Sequence, residues 1–147
     1  DGRVLVLNTA SPNFYAESIA EALGFDHCVA TKVQLTDPLS FHPRIRVNNK
    51  HGAKIDAMLD QVPGVAELSE EDRNDHCYAY SDSAADLPLL EFGRNGVLVH
   101  PSSMLATIGI RNEWTLMHPR RPYESKVGDM LAVVRQMLGL YPERPKV

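Results

Sequence analysis

The sequence predicts an α/β protein, a Rossmann-like parallel sheet with helices on both faces. Two observations carry this. Short apolar runs such as Val4-Leu-Val-Leu7 and Gly96-Val-Leu-Val-His100 suit strands buried on both faces, and they alternate with stretches of helical spacing. The runs also end in polar residues, at Asn8-Thr9, Thr31, Ser81-Asp82 and His100. Open sheets of this kind bind ligands there, outside the carboxyl ends of their strands.

The first strand, over 4–7, ends in the polar turn Asn8-Thr-Ala-Ser-Pro12. A helix follows over 14–23, with Phe14, Ile19, Ala20 and Leu23 as core contacts. Ser11 is placed to cap it, Pro12 fits its first turn, and Gly24 ends it. Residues 27–31 form a short strand. Residues 32–50 read as an irregular or β excursion, because Asp37-Pro38 and His42-Pro43 precede the alternating Arg44-Ile-Arg-Val47. A helix starts at Lys54, with Ile55, Met58 and Leu59 on its apolar face, and the acidic stretch 62–74 reads as solvated surface. A strand over 76–80, the loop 81–86 and a short helix over 87–92 come next. A strand over 96–100, a helix over 102–108 and a small strand over 114–117 follow. Met130, Val133, Val134 and Met137 give a terminal helix over 129–140, and 141–147 read as a tail.

The totals narrow the function. The 147 residues are 44% apolar, enough for one domain with a core. A net charge of −4 without a basic run argues against nucleic acid. No apolar run approaches the roughly 20 residues of a membrane span, so a cytoplasmic, membrane-free protein is the default expectation. Cys28 and Cys77 sit in short apolar segments and read as buried structural thiols.

Three features carry chemistry. Asp82 and Asp86 lie four apart in a strand-end loop, where converging carboxylates repel unless a cation joins them. Magnesium is held by one or two carboxylates together with substrate phosphate. The bland alternative is an Asx-turn, with Asp86 capping the next helix. Thr9 puts a hydroxyl beside amides that enter a helix, an anion-binding place, with Ser11 as the local runner-up and simple capping as the alternative. Lys54 opens a helix, where the dipole disfavours a cation unless an anion faces it; a solvated lysine is the alternative. His100 ends a strand near the presumed crevice and either touches substrate or packs.

Taken in order, these segments resemble the haloacid dehalogenase-like superfamily, and most of all its branch containing phosphoserine phosphatase. The strand ending Asn8-Thr9, Lys54 in Gly52-Ala-Lys-Ile55, and Tyr80-Ser-Asp-Ser-Ala-Ala-Asp-Leu-Pro-Leu-Leu90 carry the likeness, which runs over about 4–118. The resemblance implies a magnesium-dependent phosphatase that acts on a small phosphomonoester through an aspartyl-phosphate. Thr9 would then bind a phosphoryl oxygen, and Lys54 would neutralise the phosphoryl group. Asp82 would ligate magnesium, and Asp86 would support Lys54 or the metal shell. Ser11, Ser83 and His100 would contact substrate.

The chain departs from the family in one respect. It contains no DxDx[TV] motif, the strand-end aspartate pair that supplies the family's nucleophile. The resemblance places that strand centrally, between the strands ending at Thr9 and Tyr80. A partial core, residues 1–147, lacking its first central strand and cap is therefore expected. Either a longer parent supplies the nucleophile, with the missing N-terminal part a candidate partner as a separate segment, or another segment fills the gap. The competing functions are a non-catalytic interaction or regulatory module and a receiver-like domain.

Overall fold

The structure is a computed structural model that describes residues 2–35, 44–120, 130, 131 and 134. The chain divides into two compact units, Asp1–Met117 and His118–Val147. The described elements below all belong to the first unit. Asp37-Pro38, His42-Pro43, most of the helix expected over 129–140 and the tail lie outside the described residues, although Met130, Leu131 and Val134 are helical.

Strand β1 (Val6–Pro12) leads into helix α1 (Asn13–Leu23), and β2 (His27–Gln34) pairs parallel to β1. The excursion returns as β3 (Arg44–Val47), antiparallel to β2. Helices α2 (Ala53–Gln61) and α3 (Glu70–His76) then precede β4 (Tyr78–Ser81). A 3-10 turn (Ala84–Asp86) runs into α4 (Leu87–Phe92), and β5 (Asn95–Val99), α5 (Ser103–Arg111) and β6 (Thr115–Met117) complete the unit. Strands β4, β5 and β6 are parallel neighbours.

The protein is thus α/β with flanking helices, as expected, but the expectation of wholly parallel strands is corrected. There are two three-stranded sheets, ordered β1-β2-β3 and β4-β5-β6, the first of them mixed. The mixing follows from the short return of β3 alongside β2, which forces antiparallel pairing. Among the described residues β1 pairs with β2 alone and β4 with β5 alone, so each sheet ends in an open edge. That edge also corrects the expectation of a doubly buried first strand: Val4 and Leu5 are exposed and all of β1 is half-buried.

Helix α2 joins the two sheets. It packs on β1 and β2 and also on α4. Val29, Met58 and Val62 form the shared core, with Val6, Ile55, Leu89 and Phe92 against it. The second core gathers Ala79, Leu90, Leu98, Leu105 and Trp114. Leu90, Leu98 and Leu105 are fully enclosed, each stabilising the fold by about 1.5–3 kcal/mol.

Local chemistry sets the element ends. Gly24 takes the left-handed conformation (φ 76°), and its N–H closes α1 onto Ala20 and Glu21. The core face of α1 is Ala16 and Ala20, whereas Phe14, Ile19 and Leu23 face solvent, contrary to expectation. Helix α3 was not expected from its acidic sequence, and it buries no residue. Its signal is the capping box Ser69-x-x-Asp72, in which each side chain bonds the other residue's backbone N–H. In β4, Ala79 and Ser81 are buried while Tyr78 and Tyr80 are 62% and 61% exposed, so one face of that strand is uncovered.

Candidate active site

Lys54 decides the site. It lies in the first turn of α2 and is only 7% exposed, which excludes the solvated-lysine alternative. Its ammonium Nζ sits 2.7 Å from Asp86 Oδ1. A buried cation at a helix N-terminus is doubly unfavourable, by desolvation and by the dipole, and Asp86 offsets both. The remaining two N–H donors of the ammonium have no protein partner among the described residues.

Asp86 is fixed from its other side as well. Ser81 Oγ donates to Asp86 Oδ2 at 2.8 Å, and the same Oγ accepts the Ser83 N–H at 3.1 Å. Asp86 stands at the N-cap position of α4 but makes no side-chain cap bond. The capping alternative is therefore replaced by a carboxylate turned onto Lys54. Ser83 Oγ accepts the Ala85 N–H and caps the 3-10 turn. Asp82 stands exposed just past β4, in no hydrogen bond or ion pair among the described residues.

The end of β1 is held by a buried polar network. Thr9 Oγ1 accepts the Ser11 N–H at 3.1 Å, an arrangement that leaves the hydroxyl proton to point elsewhere. Ser11 belongs to β1, and α1 begins at an N-cap Pro12 without a side-chain cap, so the capping role expected of Ser11 is corrected. Asn49, 1% exposed, directs its Nδ2 toward Asn8 Oδ1, Thr9 O and Val29 O, each at 2.9 Å. Asn8 Nδ2 donates to Lys54 O at 2.9 Å, and Thr31 Oγ1 donates to Ala10 O at 2.8 Å. Asn49 Oδ1 is buried and meets no donor among the described residues. The network ties the Thr9 turn directly to the first turn of α2.

A cavity of about 420 Å³ opens where these parts meet, lined by Ala10, Lys50, His51, Lys54, Ser83, Ala85 and Asp86. Of the residues expected from sequence, it brings together Lys54, Asp86 and Ser83. Thr9, Ser11 and Asp82 do not line it, although their chain neighbours Ala10 and Ser83 do. His100 follows β5 with φ 49°, its N–H bonded to Met117 O, and also lies off the cavity wall. A larger hollow of about 600 Å³ sits by Asn95 and Trp114, at the opposite, amino-terminal ends of the strands, and holds none of the candidates.

Sequence reasoning missed Asn49, and it placed Asn8, Thr31 and Ser81 at the strand ends without giving them a role. The alternation in β4 places Ser81 on the buried face with Ala79, a usable signal. Nothing in Asn48-Asn49 distinguishes a buried clamp from a turn. Cys28 and Cys77 are free, half-buried thiols, and burial is the main cause that pushes both upward in pKa.

Among the described residues no group of three or more His, Cys, Asp or Glu is gathered around one point. The donors available at the strand ends are therefore the Asp82 carboxylate and the Asp86 carboxylate, whose two oxygens are already engaged by Lys54 and Ser81.

The chain belongs to the haloacid dehalogenase-like hydrolase family, whose model matches residues 1–91. It is 31% identical over 127 residues to a Streptomyces azureus protein described as an inhibition of morphological differentiation protein, covering 85% of this chain and 43% of that one. It is 31% identical over 121 residues to a protein described as a probable phosphatase from Mycobacterium tuberculosis H37Rv, covering 82% of this chain and 40% of that one. The fold also matches the crystal structure of a Bordetella pertussis Tohama I protein described as having unknown function. The TM-score is 0.64 at 27% identity, over 80% of this chain and 52% of that one. The chain thus spans less than half the length of these two curated relatives.

Proposed function

We propose that this chain supplies the phosphate- and metal-binding part of a magnesium-dependent phosphatase that cleaves a small phosphomonoester. The observation that carries this is the buried Lys54–Asp86 pair, which links α2 to the start of α4 in a fold whose two sheets each end in an open edge. A carboxylate nucleophile would enter on a further strand, seated between β1 and β4, from polypeptide beyond these residues. Such a strand would pair both open edges, which otherwise leave unmatched backbone groups. The uncovered Tyr78 and Tyr80 face of β4 is where further chain would also pack.

The proposed chemistry balances as follows. A carboxylate oxygen of the incoming aspartate forms a bond to phosphorus, and the bond from phosphorus to the ester oxygen breaks. The leaving oxygen takes a proton from a neighbouring acid. Water then attacks the aspartyl-phosphate, releasing phosphate and restoring the carboxylate. The two unused N–H donors of Lys54 neutralise the phosphoryl oxygens, and the Thr9 hydroxyl donates to one of them. Asp86 and Ser81 keep the ammonium oriented. Magnesium, when bound, supplies further charge neutralisation. Asp82 fits as one of its carboxylate ligands, with the incoming aspartate as a second, and Asp86 fits an orienting role better than a ligand role. Ser83 contacts substrate from the cavity wall, and Ser11 and His100 lie further out.

Turnover of p-nitrophenyl phosphate by the complete polypeptide tests this reading. Lys54→Met should lower kcat about 10²–10³-fold, the usual cost of losing one preorganised charge partner. The 147-residue chain alone should show no turnover. An active isolated chain, or Lys54→Met at the parent rate, would remove the proposal in favour of a non-catalytic module.

A further inference from the structure

We infer that Lys50 and His51 form a second anion subsite beside Lys54, selecting phosphomonoesters whose leaving group carries its own negative charge. The inference rests on the proposed phosphatase reading and names its substrate class.

The charge on the cavity wall is the first ground. The protein as a whole is acidic, with a net charge of −4. Yet the cavity carries three basic side chains, Lys50, His51 and Lys54, against one acid, Asp86. Asp86 is committed to Lys54 and Ser81. Neither Lys50 nor His51 has a side-chain hydrogen bond or ion pair among the described residues. The surplus on the wall is therefore positive and open to solvent, where an anionic group of the ligand would meet it.

Placement is the second ground. Lys50 O accepts the Ala53 N–H at 3.2 Å and His51 O accepts the Lys54 N–H at 3.1 Å. These are the backbone bonds that open α2, so both residues ride on the same turn as Lys54. Their separation from its ammonium is set locally. His51 holds this turn with φ 51°, a region that a β-carbon disfavours and that a residue adopts when its surroundings fix it. The two arginines of the excursion are placed elsewhere: Arg46 is bonded to Gln34, and Arg44 does not line the cavity.

A ligand with its phosphoryl group at Lys54 would thus meet Lys50 and His51 with the group next to the ester oxygen. A carboxylate or a second phosphate satisfies the same donors. Calorimetric titration of the complete polypeptide at saturating magnesium tests this with three non-hydrolysable probes. Methylphosphonate carries one anionic group, phosphonoacetate adds a carboxylate, and methylenediphosphonate adds a second phosphonate. One or both of the last two should bind about tenfold tighter than methylphosphonate, the return from one added charge-assisted contact. Which of them gains identifies the second anion. Lys50→Gln with His51→Asn, where asparagine keeps the left-handed backbone accessible, should bring that ratio down to about one. Arg44→Ala, a surface charge control, should leave the ratio as it is. An equal affinity for all three probes, or a ratio that survives the double substitution, overturns the subsite while leaving the Lys54 site standing. Failure of methylphosphonate to bind at all removes the phosphatase reading and the subsite with it.

Discussion

Lys54 and Asp86, 32 residues apart in sequence, meet at 2.7 Å across the junction between the two sheets. Their side chains are 9% and 15% exposed, so neither charge is solvated enough to stand alone. Removing only the acid strands a buried ammonium. Asp86→Ala is therefore expected to destabilise the protein by about 3–5 kcal/mol. Lys54→Met leaves Asp86 still bonded to Ser81 and costs less. Lys54→Met combined with Asp86→Ala should lose clearly less than the sum of the two single losses. Urea denaturation of the four proteins measures the coupling; additive losses would contradict the pairing.

Asn49 makes a separate prediction. Its Nδ2 is the donor to Thr9 O and Val29 O, both half-buried or deeper. Asn49→Ala leaves these acceptors unmatched, at about 1–3 kcal/mol each. It also frees the Thr9 turn from α2, so methylphosphonate affinity of the complete polypeptide should fall more than the stability loss requires. A variant destabilised but binding normally would limit Asn49 to a role in folding.

Gly96 illustrates a backbone constraint. A β-carbon there would lie 2.6 Å from Trp114 Cγ and Cδ2. The indole is itself anchored, its Nε1–H donating to Arg94 O at 3.1 Å. Gly96→Ala should destabilise by about 1–3 kcal/mol through overpacking. Trp114 is the single tryptophan of the chain, so its fluorescence reports the displacement directly. An unshifted spectrum and unchanged midpoint would refute the contact.

The capping box of α3 gives a pH dependence. Hydrogen bonds from the Ser69 hydroxyl and backbone hold the Asp72 carboxyl below its ordinary value of 3.8. A lowered folded-state pKa stabilises the folded form above the unfolded value, and the contribution is lost as pH falls through the lowered one. Protection of the amides at the start of α3, measured relative to their intrinsic exchange, should therefore fall as pH drops from the ordinary carboxylate value through the lowered one. Ser69→Ala should show the reduced protection already at neutral pH. Equal exchange in both proteins at pH 7 would remove the capping box as its cause.

The thiols give a chemical prediction. Burial raises both Cys28 and Cys77, and the nucleophile in alkylation is the thiolate. Both should react with iodoacetamide more slowly than unfolded protein at pH 8. Rates equal to those of the denatured chain would contradict their burial.

Much of this architecture was legible because local signals agree with the fold. Apolar runs marked β2 and β5, Gly24 marked a helix end, and the Lys54 helix start was visible from its spacing. The edge of β1 does not follow from its apolar run, which looks the same whether one or both edges are paired; only the family resemblance, with its missing neighbouring strand, pointed to it. The core face of α1 was misjudged because alanines, not the larger Phe14, Ile19 and Leu23, face the sheet. Asp86 looked like a helix cap because its position is one; only the approach of Lys54 from α2, a contact distant in sequence, turns its carboxylate away. Asn49 carries no sequence mark, since burial and three acceptors make it a clamp.

The central claim is that a strand bearing an aspartate nucleophile fills the space between β1 and β4. A crystal structure of the complete polypeptide with magnesium and a bound phosphate mimic tests it most directly. The account predicts a strand hydrogen-bonded to both β1 and β4, its aspartate carboxylate beside the mimic and the mimic within hydrogen-bond distance of Lys54 Nζ. Open edges on β1 and β4, or a filling strand with no carboxylate at Lys54, would contradict it.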